Sequence, residues 1–182
     1  MKKIDMKMKD NFLDEGRLIV LEKLIDNPYF AWYLQKGTIP ELNDDYWFCH
    51  KVYDDDEPRS DLYNPVIEIF KEYLKYASLC RLTINLFHRQ ETPSISDFHA
   101  DFNVEKITTA IFYLNTNNGY VEFEGGDKID CVRNRLIMFP AITKHKVIGQ
   151  TDESRRIVLN FNIVEWKRHG LANEAGRNGS EG

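Results

Sequence analysis

Arg156-Ile157-Val158-Leu159-Asn160-Phe161-Asn162-Ile163 is the stretch whose reading decides the fold. In an extended chain successive side chains point to opposite faces. Ile157, Leu159, Phe161 and Ile163 therefore share one face, and Arg156, Val158, Asn160 and Asn162 share the other. A strand that carries an arginine and two asparagines on its second face is unlike a core strand unless that face lines a polar cavity. The alternation also decides between two adjacent arginines. If Arg155 pointed inward, the four apolar residues would line the cavity and both asparagines would be driven into the hydrophobic layer. An inward Arg156 presents an always-charged planar fork, suited to a carboxylate held inside such a cavity.

Working outward, the same period of two governs the chain from residue 79. Leu82, Ile84 and Leu86 alternate with Arg81, Thr83, Asn85 and Phe87, and Thr108, Ala110, Phe112 and Leu114 alternate with Ile107, Thr109, Ile111 and Tyr113. Further short strands read at Tyr120 to Phe123, Lys128 to Val132, Arg135 to Phe139, Lys144 to Ile148 and Arg155 to Ile163. Turn residues separate most of them: Asn117-Asn118-Gly119, Gly125-Gly126-Asp127, Arg133-Asn134 and Gly149 to Ser154. Seven or eight such strands predict a cupin-like jelly roll, a double-stranded β-helix.

Ahead of the sheet the period is helical. Leu18, Leu21 and Ile25 predict an amphipathic helix over 14–26, with Asp14 and Glu15 at the end where the dipole favours negative charge. Asn27-Pro28 reads as the cap of a short aromatic helix through Tyr33. Residues 36–64 read as polar and irregular, with Asp54 to Glu57 a solvated acidic loop. Asn64-Pro65 caps a second helix, on Ile67, Phe70, Leu74 and Ala77. The fold class is then α+β, with helices on one face of an antiparallel sheet. The expected organisation is one domain over 1–168, with helical support in 1–78, a jelly-roll core in 79–166 and a flexible tail in 169–182.

The bulk numbers limit the function classes. A chain of 182 residues with 42% hydrophobic and 29% charged residues buries a full core without staples. A net charge of −5 makes nucleic acid a poor default partner. Cys49, Cys80 and Cys131 contain no CxxC pair and fit reduced thiols in a cytoplasmic protein. The charged stretch Met1 to Asp10 lacks the apolar run of a secretory signal, and no apolar stretch reaches membrane-spanning length.

The chemistry sits in Phe98-His99-Ala100-Asp101-Phe102-Asn103. Extended, this segment sends His99 and Asp101 to one face. A second histidine would complete two histidines and a carboxylate on one side of a metal, the arrangement of non-haem iron(II) oxygenases. His145, in a predicted strand after Phe139-Pro140, is the candidate; the bland alternative is a strand histidine bonded to a carbonyl. His50 reads as structural, and His88 and Arg89 as solvated strand-end residues or minor contributors on the substrate side.

Residues 98–163 resemble the 2-oxoglutarate/Fe(II)-dependent dioxygenases, particularly the prolyl-4-hydroxylase-like branch and its small phage versions. The resemblance lies in His99-x-Asp101, Ile111 to Asn115, Gly119-x-Val121-x-Phe123, Leu136 to Pro140, His145 and the strand from Arg156. It implies that His99, Asp101 and His145 hold Fe(II), and that Arg156 pairs with the distal carboxylate of 2-oxoglutarate. Tyr113 adds a hydroxyl donor there, and Asn160 and Asn85 add polar contacts. The activity implied is hydroxylation with release of succinate and CO2, consuming O2, with ascorbate as an accessory reductant. Phe87 stands where related prolyl hydroxylases often have a tyrosine, and Asn118-Gly119 replaces a Gly-Gly pair. Peptidyl proline is the favoured substrate, a small molecule comes next and a nucleobase third. If phage-encoded, the protein would act in the host cytoplasm. The competing reading is a non-catalytic cupin-like metal-binding or assembly protein.

Overall fold

The two longest strands are partners at the centre of the molecule. β5 (Ala77–His88) and β11 (Arg155–Glu165) run antiparallel, with Arg156 opposite Phe87, Val158 opposite Asn85, Asn160 opposite Thr83 and Asn162 opposite Arg81. The computed structural model describes residues 5–36 and 46–165. On the other side of β11 lies β6 (Ile107–Tyr113), then β9 (Arg135–Pro140) and β1 (Lys7–Lys9). Beyond β5 lie β3 (Tyr46–Asp54) and β2 (Tyr33–Lys36), with β4 (Glu57–Pro58) pairing off β3. A second antiparallel sheet has the order β10 (His145–Ile148), β7 (Tyr120–Phe123), β8 (Lys128–Asp130).

Strand parity gives β11 two different cores. Ile157, Leu159, Phe161 and Ile163 join Leu82, Ile84, Ala110 and Phe112 beneath α1 (Glu15–Ile25) and α2 (Tyr63–Leu74). On the opposite face Val158 joins Ile111, Tyr113, Val121, Phe123, Ile137 and Phe139 in the layer between the two sheets. This is the antiparallel jelly roll with helices on one face that the alternation predicts. Each fully buried Phe or Leu contributes about 1.5–3 kcal/mol over its exposed state, so both cores hold β11 in register.

The N-terminal part departs from the sequence reading. The α1 helix starts where expected: Asp14 caps it by accepting from the Arg17 backbone N at 3.0 Å, and Leu18, Leu21 and Ile25 are buried. Asn27, however, caps a turn rather than a helix, its Oδ1 accepting from Tyr29 N at 2.9 Å while its carbonyl accepts from Phe30 N. The chain then enters β2. Residues 46–54, expected to be irregular, form a nine-residue strand. The acidic run turns back as a tight hairpin, with Asp55 and Asp56 at φ 51° and 58°, and Arg59 pairs with Asp55 and Glu57. Residues 1–78 therefore supply strands β1 to β4 as well as two helices.

The α2 helix buries Val66, Ile69 and Phe70 and ends at Leu74, so Ala77 opens β5 instead of closing the helix. Its N-cap is Leu62 without a side-chain bond, and Asn64 lies inside the first turn. Cys49, Cys80 and Cys131 are all free. The expected tail at 169–182 lies outside the described residues, as do residues 37–45 of the polar stretch 36–64. Among the described residues no helix is long and apolar enough to cross a membrane.

Candidate metal centre and cosubstrate pocket

The stretch around His99 is held by isolated antiparallel bridges, His99 with His145 and Ile95 with Ile148, not by a regular strand. His99 N donates to His145 O and His145 N donates to His99 O, both at 2.9 Å, outside any longer ladder. A directly opposed pair places both side chains on one face, and the two imidazole centroids lie 4.6 Å apart. His99, Asp101 and His145 each offer one ligand atom within 4.8 Å of the other two.

Each histidine is oriented by a carbonyl. His99 Nδ1 meets Asp97 O at 3.1 Å and His145 Nδ1 meets Thr143 O at 3.0 Å. A carbonyl only accepts, so each Nδ1 carries the proton and each Nε2 keeps its lone pair for a metal. Those Nε2 atoms lie 3.8 and 3.9 Å from Asp101 Oδ1. Burial pushes the His145 pKa below its ordinary value, against the opposing bond to the Thr143 carbonyl and the charge of Asp101, so the ring is neutral at pH 7.

Asp101 divides its two oxygens. Oδ1 faces the imidazoles, and Oδ2 accepts from Thr109 Oγ1 at 2.8 Å, Asn162 Nδ2 at 3.2 Å and Asn160 Nδ2 at 3.3 Å. Burial pushes this carboxyl upward. His145 and the three donors outweigh that and hold it below the usual carboxylate range. The result is a preformed anion beside the neutral His145 ring and the inward-facing His99 Nε2, a donor set that fits Fe(II) with positions left open. The side chains of Asp101 and His145 are 6% and 2% exposed and that of His99 is 46% exposed, so access is from the His99 side.

At the other end of β11, Arg156 is 1% exposed while Arg155 reaches out to Asp26 at 2.7 Å. The buried guanidinium lies 5.6 Å from the Tyr113 ring centroid and 5.8 Å from that of Phe87. Its Nη1 donates to Ile148 O at 3.0 Å, whereas its Nε has no partner and no carboxylate of the described residues lies within 4 Å. The Tyr113 hydroxyl, fully buried, also has no partner, and burial raises its pKa. An uncompensated buried charge costs several kcal/mol, so this pair of orphaned donors fits an anionic carboxylate. Gly119 leaves room for the arginine. A Cβ there would stand 2.9 Å from Ile148 O and 3.2 Å from Arg156 Nη1.

The other sequence-derived candidates fall nearby but not at one point. Asn85 is half-buried on the Arg156 face and donates to Thr83 Oγ1 at 3.1 Å. Asn160 sits at the Asp101 carboxylate, with its Oδ1 unpartnered. His50 is structural, bonded at 2.7 Å to both Ala31 O and Ser60 Oγ. The sequence reading missed Thr109 and Asn162 as donors to Asp101. Both share parity with a residue it placed on the interior face, Thr109 with Tyr113 and Asn162 with Arg156, and that parity was the available signal.

No protein-family model and no curated protein matches the sequence. Solved structures do match the fold. A 2OG-Fe(II) oxygenase family oxidoreductase from Burkholderia pseudomallei superposes with TM-score 0.63 at 12% identity, covering 91% of this chain and 89% of that one. The fold is that of the 2OG-Fe(II) oxygenases. A prolyl hydroxylase from Trichoplax adhaerens, solved with a hypoxia inducible factor peptide, matches with TM-score 0.62 at 14% identity over 88% of this chain and 83% of that one. The α-ketoglutarate-dependent epimerase SnoN from nogalamycin biosynthesis matches with TM-score 0.62 at 12% identity over 89% and 79%. This oxygenase fold therefore serves both a peptide-binding neighbour and one that acts in small-molecule biosynthesis.

Proposed function

We propose that the protein is a 2-oxoglutarate- and O2-dependent Fe(II) dioxygenase that hydroxylates an organic substrate. The observation that carries the reading is a counter-ion-free, buried Arg156 in the same sheet interior as the His99/Asp101/His145 cluster. A purely structural metal site has no use for a carboxylate clamp behind it.

In this reading His99 Nε2, His145 Nε2 and Asp101 Oδ1 hold the metal, and Arg156 with the Tyr113 hydroxyl holds the distal carboxylate of 2-oxoglutarate. When bound, iron and cosubstrate together supply oxidative decarboxylation to succinate and CO2, with one oxygen atom of O2 delivered to the substrate. The chain's own work is to preorganise them. Thr109, Asn160 and Asn162 fix the Asp101 plane so that one oxygen alone faces the metal. Asp97 and Thr143 carbonyls fix both imidazole tautomers. Phe87 and Tyr113 wall the guanidinium from water, which strengthens its attraction for a carboxylate. Asn85, opposite Val158 on the same face as Arg156, would add a polar contact to the cosubstrate. Ascorbate would serve as an accessory reductant.

The peptide-bound prolyl hydroxylase among the neighbours supports a prolyl or peptidyl substrate, with a small molecule as the second choice. The test is to add Fe(II) and 2-oxoglutarate without oxygen and look for the metal-to-ligand charge-transfer band in the visible. The band is expected with wild type, lost with Asp101→Ala and weakened with Arg156→Ala. No band in the wild type at millimolar cosubstrate would refute the proposal.

A further inference from the structure

Arg81 is a second arginine on the interior face of the sheet without an anionic partner. It lies opposite Asn162 in the β5–β11 ladder. Its Nε donates to Asn162 Oδ1 at 2.9 Å, and Asn162 in turn donates to Asp101 Oδ2. The guanidinium carbon sits 4.8 Å from the ring centroid of Phe102, the residue after Asp101. One face and one nitrogen are thereby fixed beside the metal ligand, and the Nη1 and Nη2 edge has no partner assigned by these contacts.

The missing counter-ion is unusual for this chain. Acidic residues outnumber Lys and Arg by 29 to 24, and Arg17, Arg59, Arg133, Arg135 and Arg155 each have a carboxylate within 4 Å. Among the described residues Arg81 has none. Asp54, which lies in its field, is already held by Lys51 at 2.7 Å. Nor is Arg81 a second cosubstrate ligand. Asn162, its ladder partner, is six positions from Arg156 on β11, about 20 Å along a strand and beyond the reach of one short diacid.

We infer that Arg81 anchors an anionic group, carboxylate or phosphate, of the molecule oxidised at the His99/Asp101/His145 site. The inference rests on the oxygenase reading and adds the substrate class: an organic anion whose charged end lies on the β5 side of the metal. A half-buried guanidinium held by one bond and one ring face is preorganised, so a two-oxygen anion completes it at little entropic cost.

The experiment uses the full chain loaded with Mn(II) and saturating 2-oxoglutarate, which occupies Arg156. Paramagnetic broadening of added glycerate, glycerol 3-phosphate and glycerol is followed by proton NMR. Expected is broadening of one or both anions, with glycerol at least about tenfold weaker, the effect of losing a charge-assisted contact. Whichever anion responds identifies the group. Arg81→Gln should lose the preference, Arg81→Lys should keep part of it, and Arg17→Gln on α1 should behave as wild type. Equal broadening by glycerol, or an undiminished preference in Arg81→Gln with metal still bound, overturns the inference and leaves the oxygenase reading intact. A merely structural Arg81, acting through Asn162, would weaken Mn(II) binding without altering the preference among probes. Should wild type fail to bind Mn(II) and 2-oxoglutarate, both readings fall together. If Arg81→Gln does not fold, the anion-to-glycerol contrast in wild type and the Arg81→Lys variant still decide.

Discussion

Arg156→Met replaces a buried cation with a shorter, uncharged unbranched chain, and the structure sets its two consequences apart. The variant loses one charged hydrogen bond, Nη1 to Ile148 O, a loss of about 1.5–3 kcal/mol. It also removes a guanidinium that is 1% exposed and without a carboxylate partner among the described residues, relieving a desolvation cost of several kcal/mol. The terms oppose each other, so the apo variant should lie within about 2 kcal/mol of wild type. Cosubstrate response should change completely. A ligand at 100 times its dissociation constant stabilises the folded state by about 2.7 kcal/mol. For a chain of this size that raises Tm by about 5–10 °C. Thermal denaturation with Zn(II), with and without 2-oxoglutarate, measures both quantities. Wild type should show the shift and Arg156→Met none. An equal shift in the variant would place the cosubstrate elsewhere, and an apo loss above about 4 kcal/mol would make Arg156 a structural residue.

Gly119→Ala should weaken 2-oxoglutarate binding more than metal binding, because its Cβ would press on Ile148 O and Arg156 Nη1. Overpacking of this kind costs about 1–3 kcal/mol, and parallel titrations of metal and cosubstrate check the split. Asn134→Ala should cost about 3 kcal/mol in urea denaturation. Its side chain bonds both Leu13 N and Leu13 O, and its φ of 63° suits asparagine better than alanine. Acid should destabilise the metal-free protein. His145 has a folded pKa lowered from 6.5, so below pH 6.5 the unfolded chain binds a proton that the folded one refuses. Stability then falls by up to about 1.4 kcal/mol per pH unit until the folded pKa is reached. Asp101, also depressed, adds stability that is present above 3.8 and lost as pH falls through its folded value. Urea midpoints at pH 7.5 and 5.5 should differ in wild type and converge in His145→Asn.

Strand parity carried most of what the sequence disclosed. It separates Arg156 from Arg155, and it puts Val158 and Ile157 in different cores because each pleat reversal is enforced by burial on both sides. It said nothing of β3, since Tyr46 to Asp54 mixes aromatic, cysteine, histidine and lysine residues without a clean period. That strand is made by pairing with β5, a long-range cause. Asn27-Pro28 misled for a related reason. Asparagine opens a turn and a helix with the same side-chain bond, and only the conformation of the downstream residues distinguishes the two. The 98–103 stretch reads as a strand from its alternation, yet only the His99–His145 bridge forms. One bridge is enough to set which way two residues point.

What makes the site legible at all is that its parts share one strand face. Along β11 the residues at 156, 160 and 162 address the proposed cosubstrate pocket, then one oxygen of Asp101 twice. A one-residue slip of β11 would reverse all of these together and expose Ile157, Leu159 and Phe161 to the polar interior. The hydrophobic core beneath the helices therefore fixes the chemistry above it. The apolar face of the strand sets the register, and the register aims the arginine and both asparagines. A substitution such as Leu159→Asp should accordingly disable metal and cosubstrate binding together, although the residue touches neither, because the two sites are held by the same buried face.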